Sequence, residues 1–129
     1  MNKIIIEISV GELLDKISIL EIKLEKIKDP EKHKFISNEY SILKQQLDNN
    51  VKSNDKLKNL YKSLKQINSK LWVIEDDKRQ CEKDKDFNKK FIKLSRDVHF
   101  LNDDRAKIKL EINNITGSTI KEVKEYTSY

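Results

Sequence analysis

Four polar side chains that could bind an anion recur at helical spacing near the end of the chain. They follow one another at steps of three, four and four residues, so one edge of a helix would carry them all: Asn102, Arg105, Lys109 and Asn113. A guanidinium with an ammonium close by suits a carboxylate or a phosphate. The spacing makes this edge a candidate anion site.

A carboxylate that could face this edge lies in the first predicted helix. Glu21 falls inside the apolar arc of that helix and not on its polar side. If the first helix runs antiparallel beside the last one, Glu21 reaches the level of Arg105. Lys16 then reaches the level of Lys109. Two interpretations stay open, a buried Glu21–Arg105 ion pair, which the pattern favours, and a bound anion.

A second polar edge lies on the third predicted helix. Its members stand at steps of three, four and three residues: Trp72, Glu75, Arg79 and Glu82. Such an edge is typical of a solvated, salt-bridged helix face. It also suits a protein-binding stripe, because Trp and Arg are favoured interface anchors. Both interpretations stay open, with the solvated face preferred.

Catalytic and metal-binding motifs are missing from the sequence. His33 and His99 fall on different helices, so we expect no metal site. Two glycines cannot build both a phosphate-cradling loop and a turn. We therefore expect no cofactor, and the balance is against an enzyme.

The composition is that of long helices with charged surfaces. Charged residues make up 38% of the chain and hydrophobic ones 36%, with two glycines and one proline. The net charge of +5 could suit a nucleic acid, but acidic residues are interleaved with the lysines along every segment, which disfavours one. Cys81 is the only cysteine, which fits a reducing, cytoplasmic compartment. The apolar run near the first residue is too short to span a membrane.

Hydrophobic periodicity predicts four helices in one domain, residues 1–129. Ser9 and Glu12 have capping-box spacing at the first helix, and Pro30 suits the start of the second. The third and fourth helices carry apolar seams over residues 57–74 and 87–115. Short connections favour antiparallel neighbours, so we expect an all-α fold of two helical hairpins, a four-helix bundle with one hairpin much longer.

The longer hairpin should protrude as a coiled-coil tip. The protruding part, about residues 76–94, carries Cys81, Phe87 and Phe91 on its seam. Uncovered seams of this kind usually mark an oligomer contact, so we expect a homodimer through the tip. The alternative is that the two arms of the hairpin cover each other.

Short terminal strands are the one departure from helix that the sequence predicts. Isoleucine fills four of the positions 4–8, a β-branched run ahead of the first helix cap. Residues 118–126 are the other segment that could form a strand and pair with it, within one chain or between two.

Several motifs together resemble a known family. They are residues 9–24 (Ser-Val-Gly-Glu-Leu-Leu-Asp-Lys-Ile-Ser-Ile-Leu-Glu-Ile-Lys-Leu), Leu71-Trp72, Asn102-Asp103 and Arg105-Ala106. They are similar to family 6165 of the domains of unknown function, small bacterial and viral proteins. The resemblance implies a shared fold and no activity. It also implies that eight residues belong to the family pattern: Glu12, Asp15, Lys16, Glu21, Glu75, Arg79, Asn102 and Arg105.

The function that these patterns favour is a helical scaffold or adaptor without catalysis of its own. It would self-associate and bind another protein through the Trp72 edge or through the tip at Phe87. The alternative is a small all-helical enzyme or ligand binder, in which Lys16, Arg105 and Lys109 hold a carboxylate or phosphate inside the bundle.

Overall fold

The computed structural model describes residues 2–129 and contains four α-helices. They are α1 (Val10–Lys26), α2 (Pro30–Asn50), α3 (Asp55–Asp84) and α4 (Lys89–Thr116). The short hairpin is formed by α1 and α2, and the long hairpin by α3 and α4. The fold is all-α, and the prediction of two helical hairpins of unequal length is confirmed.

Local side-chain chemistry sets the ends of these helices. The Ser9 hydroxyl accepts a hydrogen bond from the Glu12 amide at 3.0 Å, as the capping-box spacing predicts. Asp29 caps α2, and Pro30 occupies its first turn, where the missing amide costs no hydrogen bond. Gly117 ends α4 with a φ of 68°, a left-handed conformation that glycine adopts without strain.

The most buried helix is α1, because it packs against each of the other three. By contrast, α2 packs mainly against α1 and has no buried residue. The central apolar cluster joins α1, α3 and α4 and consists of Leu14, Leu57, Leu64 and Ile112. The short hairpin therefore sits on the long one through α1.

The path of α1 crosses the long hairpin and does not follow α4. At its start, the Gly11 amide donates to Asn113 Oδ1 of α4 at 2.7 Å. Two turns later, Ser18 Oγ accepts a hydrogen bond from Asn68 Nδ2 of α3 at 2.7 Å. Because α1 passes from α4 to α3, the antiparallel arrangement expected for the first and last helices holds only at the start of α1.

The half of the long hairpin nearest its turn projects beyond the short hairpin. Within residues 2–129, hydrogen bonds from α1 reach α3 no further than Asn68 and α4 no further than Arg105. Past these points, in residues 69–101, the two arms cover each other. Cys81 is buried there, and the Phe87 ring meets the Phe91 ring edge-on at 5.5 Å. We call residues 69–101 the projecting half.

The terminal segments are not strands. Within residues 2–129 the structure contains no strand, so the expected pairing of residues 3–8 with residues 118–126 is absent. Residues 118–129, here called the tail, run back along α4 instead. Lys109 contacts Glu122, and Asp103 contacts Tyr129. Side chains hold the tail, because a helix has no free backbone groups for a strand to pair with.

Candidate functional site

A buried ion pair between α1 and α4 lies at the centre of the candidate site. Asp15 is 1% exposed. Arg105 Nε donates to its Oδ1 at 2.9 Å, and Arg105 Nη2 donates to its Oδ2 at 2.5 Å. A guanidinium that binds both oxygens of a carboxylate forms one of the strongest and most directional side-chain contacts. The pair therefore fixes the position of α1 on α4.

A third helix reaches the same carboxylate. Asn68 Nδ2 of α3 donates to Asp15 Oδ1 at 2.9 Å and to Ser18 Oγ at 2.7 Å. The Ser18 hydroxyl in turn donates to the backbone oxygen of Asp15 at 2.7 Å. Within residues 2–129 no buried side-chain nitrogen or oxygen is left without a partner. The burial of this polar group is thus compensated throughout.

The protonation state of the pair follows from these contacts. Burial alone would raise the pKa of Asp15, but the hydrogen bonds from Arg105 and Asn68 outweigh burial and hold that pKa below its usual value. The hydrogen bond to Asp15 raises the pKa of Arg105. Both groups are therefore charged at neutral pH, and neither is suited to donate or take a proton there.

A second cation, Lys109, is enclosed by carboxylates. Its Nζ lies 2.7 Å from Glu12 Oε2, 3.2 Å from Glu122 Oε2 and 4.0 Å from Asp15 Oδ2. Burial lowers the pKa of Lys109, but the hydrogen bond to Glu12 and the nearby negative charges raise it more. The ammonium therefore remains charged, and carboxylates of the protein already neutralise it.

Close backbone contact seats the start of α1 on α4. The Gly11 amide donates to Asn113 Oδ1. A Cβ atom at Gly11 would lie 2.6 Å from the backbone oxygen of Lys109 and 2.9 Å from Asn113 Oδ1. Only glycine allows this approach, since the backbone oxygen cannot move aside as a flexible side chain can.

The four predicted members of the α4 edge do come together. Arg105, Lys109 and Asn113 each contact α1, and Asn102 Oδ1 accepts from Arg105 Nη1 at 3.5 Å. Lys16 does not join them. Its side chain is exposed and lies 3.7 Å from Glu12, one helical turn away. The four α4 residues thus lie together, whereas Lys16 lies apart from them.

The predicted pair between Glu21 and Arg105 is wrong. Glu21 accepts hydrogen bonds from the Tyr61 hydroxyl and, at 3.2 Å, from Lys65 Nζ, both of which belong to α3. The cause is the crossing of α1. By the level of Glu21 this helix has left α4 and lies over α3, so Arg105 takes a carboxylate nearer the start of α1.

Asp15 is the site residue that periodicity missed. It belongs to one buried edge of α1 at steps of four, three and four: Gly11, Asp15, Ser18 and Ile22. Two small residues flank the carboxylate on that edge, a pattern that allows another helix to come close. Small residues on both sides of an acid could have indicated a buried carboxylate at a close helix contact. The place of Asp15 in the family pattern pointed to the same residue.

The second predicted edge lies on the projecting half. Glu75, Arg79 and Glu82 are exposed on α3, and Trp72 is half-buried. Phe87 lies in the turn ahead of α4 and is 48% exposed. Within residues 2–129 none of these three charged residues makes an ion pair. The edge therefore faces solvent with its charges unpaired.

The described residues contain no cluster of side chains suited to bind a metal ion. Within 2–129 no group of three or more histidine, cysteine, aspartate or glutamate side chains could hold a metal ion. In the same range, every helix is too short or too polar to cross a membrane.

Fold and site together define a class, an all-helical protein whose two hairpins are joined by a buried ion-pair network. The chain belongs to the family of unknown function DUF6165, whose model matches residues 4–129. The resemblance seen in the sequence motifs is thereby confirmed. No curated protein and no solved structure matches the chain significantly.

Proposed function

We propose that this chain is a helical scaffold or adaptor that self-associates and binds another protein, with no catalysis of its own. One observation carries the proposal. Within residues 2–129, the projecting half receives no hydrogen bond from the short hairpin, and it keeps apolar side chains in solvent, among them Val73 at 49% and Phe87 at 48% exposure. Exposed apolar surface of this kind usually marks a contact with another protein chain. Its two arms, we propose, pair as a coiled coil.

The occupant of this surface is a second copy of the chain. Asp77 and Asp84 share one edge of α3 with Val73, at helical spacing. On α4, residues 89–96 contain four cations and no acid: Lys89, Lys90, Lys93 and Arg96. Of these, Lys93 also pairs with Asp97 on the same helix at 2.6 Å. In a two-fold dimer the acidic edge of one copy meets the basic edge of the other, and the same contact forms twice. The charges of the projecting half are thus self-complementary.

A second protein would dock on the other flank of α3. Trp72 offers an aromatic anchor there, and among residues 2–129 Arg79 and Glu82 find no ion-pair partner. A partner with an apolar pocket and complementary charges would fit this edge. We also propose a cytoplasmic location, because Cys81 is a lone buried thiol.

The pairing inside the bundle favours this proposal over the anion-binding alternative. Arg105 and Lys109 already contact Asp15 and Glu12. A free carboxylate or phosphate would have to displace a carboxylate that is held by the fold. The network is therefore better suited to seat α1 on the long hairpin than to bind a small molecule.

Light scattering at micromolar concentration tests self-association. We expect a mass twice the 15.3 kDa of one chain. Changing Asp77 and Asp84 to lysine should give a monomer, because the acidic edge would then repel the basic one. The matched control changes Glu31 and Glu39 to lysine on α2, which alters the net charge equally and should leave the dimer intact. A wild-type monomer at these concentrations would refute the proposal.

A further inference from the structure

The tail runs back along α4 and is held at separate points, one on α1 and two on α4. Ser118 Oγ accepts a hydrogen bond from the Val10 amide at 3.2 Å, at the start of the tail. Four residues on, Glu122 reaches Lys109 at 3.2 Å. At its end, the Tyr129 hydroxyl donates to Asp103. The tail thus lies antiparallel to α4 over several turns.

An aromatic contact completes the last of these points. The Tyr129 ring meets the Phe100 ring edge-on at 5.4 Å and the His99 ring edge-on at 5.3 Å. The hydrogen bond to Asp103 raises the pKa of Tyr129 above its ordinary value. Both the ring and the hydroxyl of this tyrosine therefore contact α4.

The tail is nevertheless bound only weakly to α4. Residues 119–129 are all exposed, and Val123 and Tyr129 are 87% and 77% exposed. A segment that served to strengthen the fold would bury its apolar side chains. Glu122 is half-exposed, so solvent weakens its ion pair with the buried Lys109. The tail can therefore leave α4 without disturbing the core.

A groove of about 260 Å³ lies between the tail and α4. On the α4 side it is lined by Ala106, Lys107, Lys109, Leu110 and Asn113. Leu110 remains 43% exposed although the tail passes over it. The tail supplies a carboxylate to this groove but leaves part of its apolar floor uncovered.

We propose that the face of α4 beneath the tail is a docking site for an extended segment of another protein that carries a glutamate and, seven residues later, a tyrosine, and that the tail is its weak intramolecular occupant. The contacts of the tail define what the site accepts. Lys109 binds a glutamate, and Asp103 with Phe100 binds a tyrosine seven residues further on. A segment that places an apolar side chain over Leu110 in addition would bind better than the tail. The proposal goes beyond self-association, since it uses neither the acidic nor the basic edge of the projecting half.

Fluorescence anisotropy with a labelled peptide of residues 119–129 tests the site. The full chain with Glu122→Ala and Tyr129→Ala keeps its length but releases the tail. We expect this variant to bind the peptide about tenfold more tightly than the wild-type chain, because a short tether gives the tail an effective concentration in the millimolar range. A peptide carrying Glu122→Lys should bind about tenfold more weakly, and so should the released variant that also carries Asp103→Ala.

Three results would overturn the proposal. One is no saturable binding of the peptide to the released variant. Another is equal binding of the Glu122→Lys peptide, which would show that Lys109 does not select a carboxylate. The third is a dimer that falls apart when the tail is released, because the groove would then hold the tail of a second copy. Asp77→Lys with Asp84→Lys separates the two proposals, since it should abolish self-association and leave peptide binding unchanged.

Discussion

Asp15 of α1 and Arg105 of α4 are joined by two hydrogen bonds, at 2.9 Å and 2.5 Å, and Asn68 of α3 binds the same carboxylate. Three helices that are far apart in the chain thus meet at one charge. Buried ion pairs of this kind are costly to break, because the remaining partner loses its counter-charge without regaining water. The geometry makes Asp15 the residue that seats the short hairpin on the long one.

Replacing Asp15 with asparagine should therefore destabilise the fold. We expect the free energy of unfolding to fall by about 3 kcal/mol, the lower end for a broken buried pair, since Arg105 keeps some contact with solvent. Urea denaturation followed by circular dichroism at pH 7 measures the change. Lys16→Ala is the matched control on the next, exposed residue and should change stability by less than about 0.5 kcal/mol. An Asp15→Asn protein as stable as the wild type would show that the ion pair does not stabilise the fold.

Acid should erase the difference between the wild type and Asp15→Asn. The pKa of Asp15 is lowered in the folded state, so its contribution is present above the pKa of the unfolded chain, about 4 for aspartate, and is lost as pH falls through the folded value. Unfolding free energies of the two proteins should differ fully at pH 7 and converge below about pH 4. A difference that stays constant down to pH 3 would contradict the assignment of the charge.

The two glycines should respond differently to substitution. Gly11→Ala places a methyl group 2.6 Å from the Lys109 backbone oxygen and should cost about 1–3 kcal/mol through overpacking. Gly117→Ala meets no atom within 4 Å, and only its positive φ opposes the change, at about 1 kcal/mol. Melting temperatures rank the two. Gly117→Asn should be tolerated best, because asparagine adopts this conformation at helix ends. An equal loss at positions 11 and 117 would argue against close packing of α1.

Tyr61 should stabilise the contact between α1 and α3. It donates to Glu21, and Tyr61→Phe should cost about 1–2 kcal/mol, since Lys65 still neutralises the glutamate. Burial and the hydrogen bond to Glu21 raise the pKa of Tyr61 in the folded state. Its contribution is thus complete below about pH 10, the ordinary value for tyrosine, and is lost as pH rises towards the folded value. Denaturation of both proteins from pH 7 to 11 measures this. A gap between them that widens with pH would be the opposite of what we expect.

Self-association should follow the charges of the projecting half. Changing Lys89 and Lys93 to glutamate should abolish the dimer, as should changing Asp77 and Asp84 to lysine. Chains that carry all four changes should dimerise again, because both edges are then reversed together. Light scattering measures the mass of each. Four changes that leave a monomer would show that the two edges do not meet. High salt should weaken the wild-type dimer, since exposed charges are screened within about 3 Å at 1 M ionic strength.

The sequence alone determined the helices and the edge of α4 that faces the site. Helical hydrogen bonds join residues four apart, so Ser9, Pro30 and Gly117 mark helix ends through chemistry within one turn. The alignment of Arg105 with Lys109 likewise depends only on the helical repeat.

Only the tertiary structure decided which groups those side chains meet. The crossing of α1 depends on packing between segments about a hundred residues apart, with the Gly11 amide at Asn113 as one contact. That crossing moves Glu21 to Tyr61 and leaves Asp15 for Arg105. The return of the tail to Lys109 is set in the same way. Periodicity gives the direction of a side chain around its own helix, whereas the angle between two helices depends on how closely their surfaces can approach.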